Sequence, residues 1–376
     1  MAVCNNCVMD DTDPVFRVDN DGMCSHCQSF YKHSAKIWAE SCSGDLEASL
    51  SEQCRRIKRE SIGKDYDCIV GLSGGLDSSY MLHTLVTKYN MRPLVFHVDA
   101  GWNTKDATQN IDRITTKLGV ELFVEVIDWE NMREVQKSFY KAGVSHLDTP
   151  QDVAFFASTY NFAIKHGIKY IMNGGNISTE AVMVPLEWMY YANDIRQFDD
   201  IISQFSDKPI ENFPKMSVSD SKIRLPYLHG VKVVRPLNSI RYIKSEAEEL
   251  LSKEYGFVPF SNKHYESVFT KFYEGYWLPR RFNYDTRKVT YSSLILTGQM
   301  TRTKALELLK TSSLTEDEWK HEKLYVAKKL KVSIAEVESY FALPKRSFRD
   351  YKNASWLYNL GAWVLNKFGG EGSIRK

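Results

Sequence analysis

The chain has 376 residues, 43% of them hydrophobic, which is enough for two or three domains with buried cores. A formal net charge of +2 excludes a strongly basic surface of the kind that binds nucleic acid non-specifically. No apolar run approaches the roughly 18 residues of a membrane span, and the first residues lack the pattern of a signal peptide. We therefore expect a cytoplasmic protein without a transmembrane segment.

Two Cys-x-x-Cys pairs lie in the first 31 residues, separated by a segment that predicts a hairpin. This spacing is typical of a structural zinc-ribbon-like module with four thiolate ligands: Cys4, Cys7, Cys24 and Cys27. An iron–sulfur cluster and unliganded thiols are the alternatives. The polar segment 32–62 predicts a helical linker to the rest of the chain.

Residues 63–227 alternate between strand and helix patterns. The predicted strands are "YDCIVGL", "RPLVFHVDA", "VELFVEVI" and "IKYIMNGGN", and helices are predicted at 77–89, 105–118 and 152–166. This alternation predicts an α/β fold with a doubly wound, mostly parallel sheet, which binds ligands at the carboxyl ends of its strands. An aromatic and acidic insertion around 183–213 and a mainly helical C-terminal region, 228–376, complete the domain prediction.

The first strand runs into the glycine turn "SGGLDSS". Its glycines permit a tight turn with exposed N–H groups, and the helix that follows adds its N-terminal dipole. The Lys of a Walker A loop and the third Gly of a dinucleotide fingerprint are both missing. The turn resembles the PP-loop of N-type ATP pyrophosphatases, which implies that it binds the pyrophosphate of ATP through Ser73, Gly74, Gly75, Asp77 and Ser78. An acidic residue beside phosphates indicates Mg²⁺, and Asp77 is its candidate ligand and a catalytic residue.

Two further strand ends carry polar groups. His97 and Asp99 end the second strand, where PP-loop enzymes bind adenosine. The fourth strand ends in a second glycine turn, "NGGN", formed by Asn173, Gly174, Gly175 and Asn176, and we expect both ends to contact ATP. Glu180 follows as a candidate substrate or Mg²⁺ ligand, although an acid in the first turn of a helix can also serve the helix dipole alone.

Long stretches resemble the N-acetyl sugar amidotransferases, a PP-loop family that makes acetamidino sugars of bacterial surface polysaccharides. The resemblance is carried by "CNNCVMDDTDP", "DTPQDVAFFASTYNFAIKHGIKYIMNGGNISTE" and "KHYESVFTKFYEGYWLPRRFNYDTRKVTYSSLILTGQMTR". It implies that the N-acetyl group of a nucleotide-linked sugar is adenylylated on oxygen and then attacked by ammonia, in the biosynthesis of lipopolysaccharide O-antigen or a related glycan. It also implies a separate glutaminase and a cyclase-like partner, similar to the two subunits of imidazole glycerol phosphate synthase.

The sugar site is predicted from residue types. Lys263 lies just before the candidate proton-transfer and catalytic residues His264, Glu266 and Lys271. Candidate residues for the phosphates and carboxylate of the sugar nucleotide are Arg280, Arg281 and Arg287, which lie near Tyr276 in the sequence. Gln151 and Asp152, at the start of a predicted helix, are further candidate substrate residues expected to face the nucleotide. Each of these side chains could instead have only a packing or surface role.

Two other functions fit parts of the pattern. A PP-loop tRNA-modifying enzyme, acting by thiolation or amine transfer, also combines this loop with an N-terminal metal module. Sulfur transfer calls for a cysteine after the PP-loop, however, and all seven cysteines precede it. The other possibility is an ATP-bound scaffold without catalysis, which Asp77→Ala would distinguish by leaving pathway activity intact.

Overall fold

A computed structural model of the chain describes residues 2–367. Five parallel strands form one sheet in the order β3-β2-β1-β4-β5. Their bounds are Cys68–Gly71 (β1), Pro93–Asp99 (β2), Leu122–Val126 (β3), Tyr170–Met172 (β4) and Lys232–Val234 (β5). The predicted α/β fold with a parallel sheet is confirmed.

Sixteen α-helices surround the sheet in the described part of the chain. They are α1 Ser25–His33, α2 Ala35–Ser43, α3 Glu47–Glu60, α4 Leu76–Thr87, α5 Lys105–Leu118, α6 Trp129–Ala142, α7 Thr149–Lys165, α8 Ile177–Glu180, α9 Ile195–Phe205, α10 Lys244–Tyr255, α11 Val268–Phe272, α12 Arg287–Leu296, α13 Arg302–Leu309, α14 Glu316–Leu330, α15 Ile334–Ala342 and α16 Ser355–Lys367. Two π-helices, Asp220–Leu228 and Tyr273–Phe282, and two 3₁₀ turns, Pro236–Ser239 and Phe348–Asp350, complete the helical elements of residues 2–367.

Successive side chains of β1 lie in apolar cores on opposite faces of the sheet. Ile69 lies in one apolar core, whereas its neighbours Cys68 and Val70 lie in the core on the opposite face. All three are fully buried, as expected for a central parallel strand with helices on both sides. The C-terminal helices extend the first core, to which Phe269 and Trp277 contribute.

β5 and α6 were not predicted from the sequence. β5 has three residues, of which Lys232 and Val233 are exposed, so it lacks the apolar run that identifies β1. It pairs with β4 and extends the sheet beyond residue 228, where the helical C-terminal region was expected to begin. The linker 32–62 contains α2 and α3, and the insertion 183–213 contains α9.

The cysteine module packs on α12 rather than on the sheet. A third apolar cluster joins its cysteines, Met9 and Phe16 to Trp188 and to Val289 of α12. None of the helices in residues 2–367 combines the length and hydrophobicity needed to cross a bilayer. The predicted C-terminal region includes residues 368–376, which lie outside the described residues.

Candidate nucleotide site

The glycine turn lies where the order of the strands reverses. The chain runs from β1 outward to β3 and then returns to the other side of β1 as β4. The crevice at the carboxyl ends of β1 and β4 is therefore the switch point at which doubly wound sheets bind ligands. "SGGLDSS" follows β1 and "NGGN" follows β4, so the fold brings both predicted glycine turns to this crevice.

The first glycine turn has no room for a side chain at Gly74. Gly74 has a φ of 81°, and a Cβ atom there would lie 2.5 Å from the backbone oxygen of Ala107 in α5. The buried Asn110 holds the same contact by donating to the carbonyls of Gly74, at 3.2 Å, and Val258, at 3.0 Å. The turn is thus fixed against α5, with the Ser73 side chain exposed and the N-terminal N–H groups of α4 unpaired within the helix.

The second turn packs directly on the first. A Cβ atom on Gly174 would lie 3.3 Å from the backbone nitrogen of Ser78 and 3.4 Å from the carbonyl carbon of Asp77. The side chain of Asn173 accepts from the N–H of Gly175 at 2.8 Å, and Asn176 caps α8 by accepting from the N–H of Thr179 at 2.9 Å. These side chains shape the turn through local hydrogen bonds.

Asp77 is the centre of a charged cluster. Its carboxylate accepts from Lys263 Nζ at 2.6 Å and from the hydroxyl of Tyr242. Lys263 also lies 2.8 Å from Glu180 Oε1 and donates to Thr179 Oγ1 at 2.7 Å. Burial by itself raises the pKa of Asp77, but the ammonium of Lys263 outweighs it, so the net pKa lies below the ordinary value. Asp77 is therefore ionised at neutral pH.

Lys263 belongs to a loop, residues 258–268, that lies over the first glycine turn. Asn110 holds its start by accepting from the N–H of Val258 at 2.9 Å, and Val268 donates to the carbonyl of Trp102 at 2.8 Å. Between these anchors, Glu266 Oε1 accepts from the Ser73 hydroxyl at 3.0 Å. The loop thus brings the predicted residue Glu266 to the glycine turn and Lys263 to Asp77.

His264 lies between these two residues in the same loop. Its backbone is left-handed, with a φ of 66°, and solvent reaches its side chain. Protein atoms nevertheless surround it closely enough for desolvation to lower its pKa, and the carboxylates of Glu274, Glu266 and Glu180 together outweigh this effect, so the net pKa is raised. We conclude that His264 is accessible to solvent and carries positive charge more readily than a free histidine.

Glu274 is a buried acid near His264, in the π-helix that follows α11. It is 8% exposed and accepts from Thr286 Oγ1 at 3.0 Å. Burial is the main cause that raises the pKa of Glu274 to about 7. The carboxyl can therefore hold or release a proton near neutral pH.

The chain matches two families over separate segments. Residues 67–159 match the phosphoadenosine phosphosulfate reductase domain, which is a PP-loop superfamily domain. Residues 266–365 match the family described as LPS biosynthesis protein WbpG-like, C-terminal domain. The chain contains a WbpG-like C-terminal domain. That domain begins at Glu266, the residue hydrogen-bonded to Ser73 of the PP-loop.

A curated relative matches part of the chain. An uncharacterized protein of Methanocaldococcus jannaschii is 26% identical over 189 residues, covering 45% of this chain and 65% of the relative. The chain thus spans slightly less than two thirds of this relative's length.

Three solved structures have some likeness to the chain. NMN synthetase from Francisella tularensis has a TM-score of 0.28 at 13% identity, over 62% of this chain and 95% of that one. NH₃-dependent NAD synthetase from Campylobacter jejuni has 0.29 at 13%, over 80% and 98%. U34-tRNA thiolase NcsA from Methanococcus maripaludis has 0.31 at 14%, over 82% and 88%. TM-scores this low do not establish a shared fold.

His97 and Asp99, predicted to contact ATP, end β2 beside the PP-loop. His97 is 6% exposed; its Nδ1 donates to the carbonyl of Leu72 at 2.7 Å and its Nε2 lies 2.9 Å from Asn103 Nδ2. Burial lowers the pKa of His97, so the ring is neutral at pH 7. Asp99 accepts from the N–H of Gly101 at 2.7 Å. His97 thus supports the residue that precedes Ser73, and its contact with ATP stays a prediction.

The predicted substrate residues of the WbpG-like domain have partners away from the PP-loop. Arg281 is buried and donates to a set of backbone carbonyls: Tyr340, Phe341, Leu343 and Pro344. Arg287 pairs with Asp285 at 2.7 Å. The guanidinium of Arg280 lies 5.0 Å from the ring centroid of Tyr276, which is itself 7% exposed. Their contacts with a substrate stay predictions, and Arg281 already has a structural role.

Lys271, Gln151 and Asp152 complete the predicted set. Lys271 lies 3.1 Å from Glu322 and 4.0 Å from Glu318 of α14, so its contacts are with acids of the WbpG-like domain rather than with the PP-loop. Gln151 is 2% exposed and reaches the hydroxyl of Ser267 at 3.4 Å, below the 258–268 loop. Asp152 lies beside it in the first turn of α7.

Four residues at the crevice were not assigned a role from the sequence. Tyr242, Thr179 and Lys263 contact Asp77, and Arg235 follows β5 with its Nε 3.5 Å from where a Cβ atom on Gly175 would lie. Arg235 is exposed. The position of Arg235 after a strand was a usable signal, but the three-residue β5 had not been predicted.

The four cysteines meet at one point. All are fully buried, and their Sγ atoms lie within 4.8 Å of one another, with separations of 3.8 Å for Cys4–Cys27 and 3.6 Å for Cys7–Cys24. Backbone N–H groups within the module donate to the Cys4 sulfur. The arrangement fits a metal ion, because the thiolates it would need are clustered, shielded from solvent and hydrogen-bonded.

The module is fixed to the WbpG-like domain. Arg302 donates to the carbonyls of Cys4 at 2.9 Å and Cys7 at 3.0 Å, and Ser292 accepts from the N–H of Val8 at 3.2 Å. Ser293, next on α12, accepts from the N–H of Val182 at 2.9 Å, two residues after Glu180. The cysteine module therefore supports the helix that positions α8 and Glu180.

Proposed function

We propose that the protein is an ATP-dependent amidotransferase that converts the N-acetyl group of a nucleotide-linked sugar to an acetamidino group in lipopolysaccharide O-antigen or related glycan biosynthesis. One observation carries the proposal: Glu266, the first residue of the WbpG-like domain, is hydrogen-bonded to Ser73 of the PP-loop. The domain shared with a lipopolysaccharide-biosynthesis family thus contacts the proposed nucleotide site.

The PP-loop supplies the groups that ATP requires. Ser73 and the first N–H groups of α4 are suited to the pyrophosphate, and the two glycine turns allow close approach of phosphate to backbone. Asp77 and Glu180 are the carboxylates that would hold Mg²⁺, which would neutralise charge on the departing pyrophosphate. Arg235, exposed beside the second turn, is placed to attract a phosphate of either substrate.

The proposed reaction has two steps. The acetamido oxygen attacks the α-phosphorus of ATP, forming a carbon–oxygen–phosphorus link as pyrophosphate leaves. Ammonia then adds to the imidate carbon, the carbon–oxygen bond breaks, and AMP departs with that oxygen. The excess proton of the amine either passes to a base or remains on the product as amidinium. His264 and Glu266, on the loop above the PP-loop, are the candidate proton-transfer groups.

Ammonia is proposed to come from a separate glutaminase. No cysteine follows residue 68, and Cys4, closest to the start of the chain, is fully buried within the metal cluster. Neither arrangement suits a glutaminase nucleophile, which must be reactive and accessible. The family resemblance points to a glutaminase and a cyclase-like subunit as partners.

Zinc is the ion that we propose for the cysteine cluster. A tetrahedral ion with Zn–S bonds of about 2.3 Å separates its sulfur ligands by about 3.8 Å. The observed separations of 3.6 and 3.8 Å agree with a single ion of this size. A cluster of several iron atoms would hold the sulfurs farther apart, so elemental analysis of the purified protein decides between the two.

tRNA modification is the second candidate, because a four-cysteine module accompanies a PP-loop. The structure offers little for sulfur transfer: Cys54 and Cys68 are buried, and only Cys42 outside the cluster is partly accessible.

Mass spectrometry tests both proposals. Protein, ATP, Mg²⁺ and ammonium are incubated with nucleotide-linked acetamido sugars, with and without tRNA and the glutaminase partner. AMP together with a sugar in which NH replaces oxygen supports the amidotransferase, whereas AMP formation that requires tRNA contradicts it.

A further inference from the structure

Two charged groups of the 258–268 loop occupy the nucleotide site. Lys263 reaches the Asp77 carboxylate and Glu266 reaches the PP-loop serine, Ser73. A magnesium nucleotide would place its metal ion at the Asp77 carboxylate and its phosphate at Ser73. Lys263 supplies the positive charge at the first position, and Glu266 supplies the negative charge at the second. This pairing calls for an explanation, because a carboxylate in a phosphate-binding turn would repel the substrate for which the turn is built.

Lys263 takes the position of a cation. Its ammonium lies 2.6 Å from Asp77 Oδ2, 2.8 Å from Glu180 Oε1 and 2.7 Å from Thr179 Oγ1. Three oxygens from two separate segments thus converge on one positive centre. These are hard oxygen ligands of the type that Mg²⁺ prefers. Only 15% of the Lys263 side chain is exposed, so the pair is shielded from solvent.

Glu266 takes the position of a phosphate oxygen. Its Oε1 accepts from Ser73 Oγ at 3.0 Å and would lie 2.7 Å from a Cβ atom on Gly75. Gly75 is the N-cap residue of α4, so the carboxylate sits at the positive end of that helix. A phosphate bound in the PP-loop would need the same hydroxyl and the same space.

The loop is held at its ends and also at Tyr265, whose side chain is 3% exposed and whose hydroxyl lies 3.1 Å from Ser313 Oγ. Asn110 fixes Val258, and the carbonyl of Trp102 fixes Val268. The carbonyl of Glu266 also accepts from the N–H of Thr104 at 2.9 Å, so the backbone at Tyr265 and Glu266 is fixed and displacement requires rotation of the Lys263 and Glu266 side chains. The side chains of Lys263 and Glu266 can therefore leave the site while the anchors stay in place.

We propose that the 258–268 loop mimics a magnesium nucleotide when none is bound, with Lys263 in place of Mg²⁺ and Glu266 in place of a phosphate oxygen, and that Mg·ATP displaces both side chains. The proposal rests on the nucleotide site of the proposed function but not on the sugar reaction. The displaced Lys263 becomes available to the phosphates, and Glu266 to the second substrate.

Manganese binding without nucleotide tests the cation part. Titration of the purified full chain with Mn²⁺, followed by electron paramagnetic resonance, should show about tenfold tighter binding for Lys263→Met than for the natural protein, a gain equivalent to about 1.4 kcal/mol. Arg235→Met removes a positive charge from the same crevice without freeing Asp77, and we expect a change of less than about threefold because exposed charges are screened. Adding Asp77→Asn to Lys263→Met should abolish the gain.

Pyrophosphate binding without metal tests the anion part. Calorimetry should show about tenfold tighter binding of pyrophosphate by Glu266→Gln than by the natural chain, since the competing carboxylate is removed. Asp106→Asn, an exposed acid in the first turn of α5, is the matched control and should change the affinity far less.

Unchanged or weaker Mn²⁺ binding by folded Lys263→Met would overturn the proposal, as would unchanged pyrophosphate binding by Glu266→Gln. If Lys263→Met does not fold, Lys263→Gln replaces it and is judged by the same result. These measurements contain no sugar, so their failure leaves the amidotransferase proposal standing, and failure of the sugar reaction leaves these results unaffected.

Discussion

Replacing Gly74 by Ala should distort the PP-loop and weaken ATP binding. The new Cβ atom would lie 2.5 Å from the backbone oxygen of Ala107, so the turn must move by at least half an ångström to restore a contact of 3.0 Å. A left-handed non-glycine residue costs about 1–2 kcal/mol in addition. Because a misplacement of about 1 Å can cost a hundredfold in a precise site, we expect ATP affinity to fall by about ten- to a hundredfold.

Gly63→Ala separates the backbone strain from the clash. Gly63 has a φ of 79°, close to that of Gly74, but no atom lies within 4 Å of the position that a Cβ atom would take there. Its substitution should therefore reduce the free energy of unfolding by about 1 kcal/mol and leave ATP affinity within about twofold. Denaturant unfolding and calorimetry with a non-hydrolysable ATP analogue measure the two effects. If Gly74→Ala binds the analogue as well as Gly63→Ala does, the close approach of the PP-loop to α5 is not what shapes the site.

Three further predictions concern separate parts of the molecule. Asp77→Asn should lower AMP formation by about a hundredfold while the protein stays folded, because it removes a carboxylate that would hold Mg²⁺ at the phosphate site; full pathway activity would instead favour the scaffold function. Cys24→Ser should cost about 3 kcal/mol or more of stability in chemical unfolding, since it breaks the buried metal cluster, whereas Cys42→Ser, outside the cluster, should cost less than about 1 kcal/mol. In the folded state Glu274 has a pKa of about 7, whereas an unfolded glutamate has a pKa near 4.3. The folded state therefore binds the proton more tightly, and Glu274 lowers the free energy of unfolding progressively as the pH rises from about 4.3 to 7. Glu274→Gln should therefore flatten the fall in unfolding free energy between about pH 4.3 and 7, by up to about 3 kcal/mol, and an unchanged slope would contradict this origin.

Local patterns were sufficient for much of the fold. β1, β2, β3 and β4 were predicted because each is a mainly apolar run near turn residues, and the helix 105–118 was predicted at its observed bounds because Gly119 marks its end. The PP-loop is likewise a continuous motif. Such features depend on neighbours in the chain, so a sequence contains them directly.

Long-range contacts were not predictable in this way. Lys263 and Asp77 are 186 residues apart, and no periodicity or motif indicates that they form an ion pair. Lys271 was selected as catalytic because it lies near His264 in the sequence, yet the helix turns it toward the acids of α14. Arginine is a residue type that often binds anions, but in the folded chain the guanidinium of Arg281 donates to four backbone carbonyls.

The fate of the acetamido oxygen tests the central claim most directly. A nucleotide-linked sugar whose acetamido carbonyl carries a heavy oxygen isotope is incubated with the protein, ATP, Mg²⁺ and the glutaminase partner with glutamine, and AMP is analysed by mass spectrometry. The proposed O-adenylyl intermediate predicts that the isotope appears in the phosphate of AMP while the sugar gains NH. An isotope that stays in the sugar while AMP forms would contradict the account.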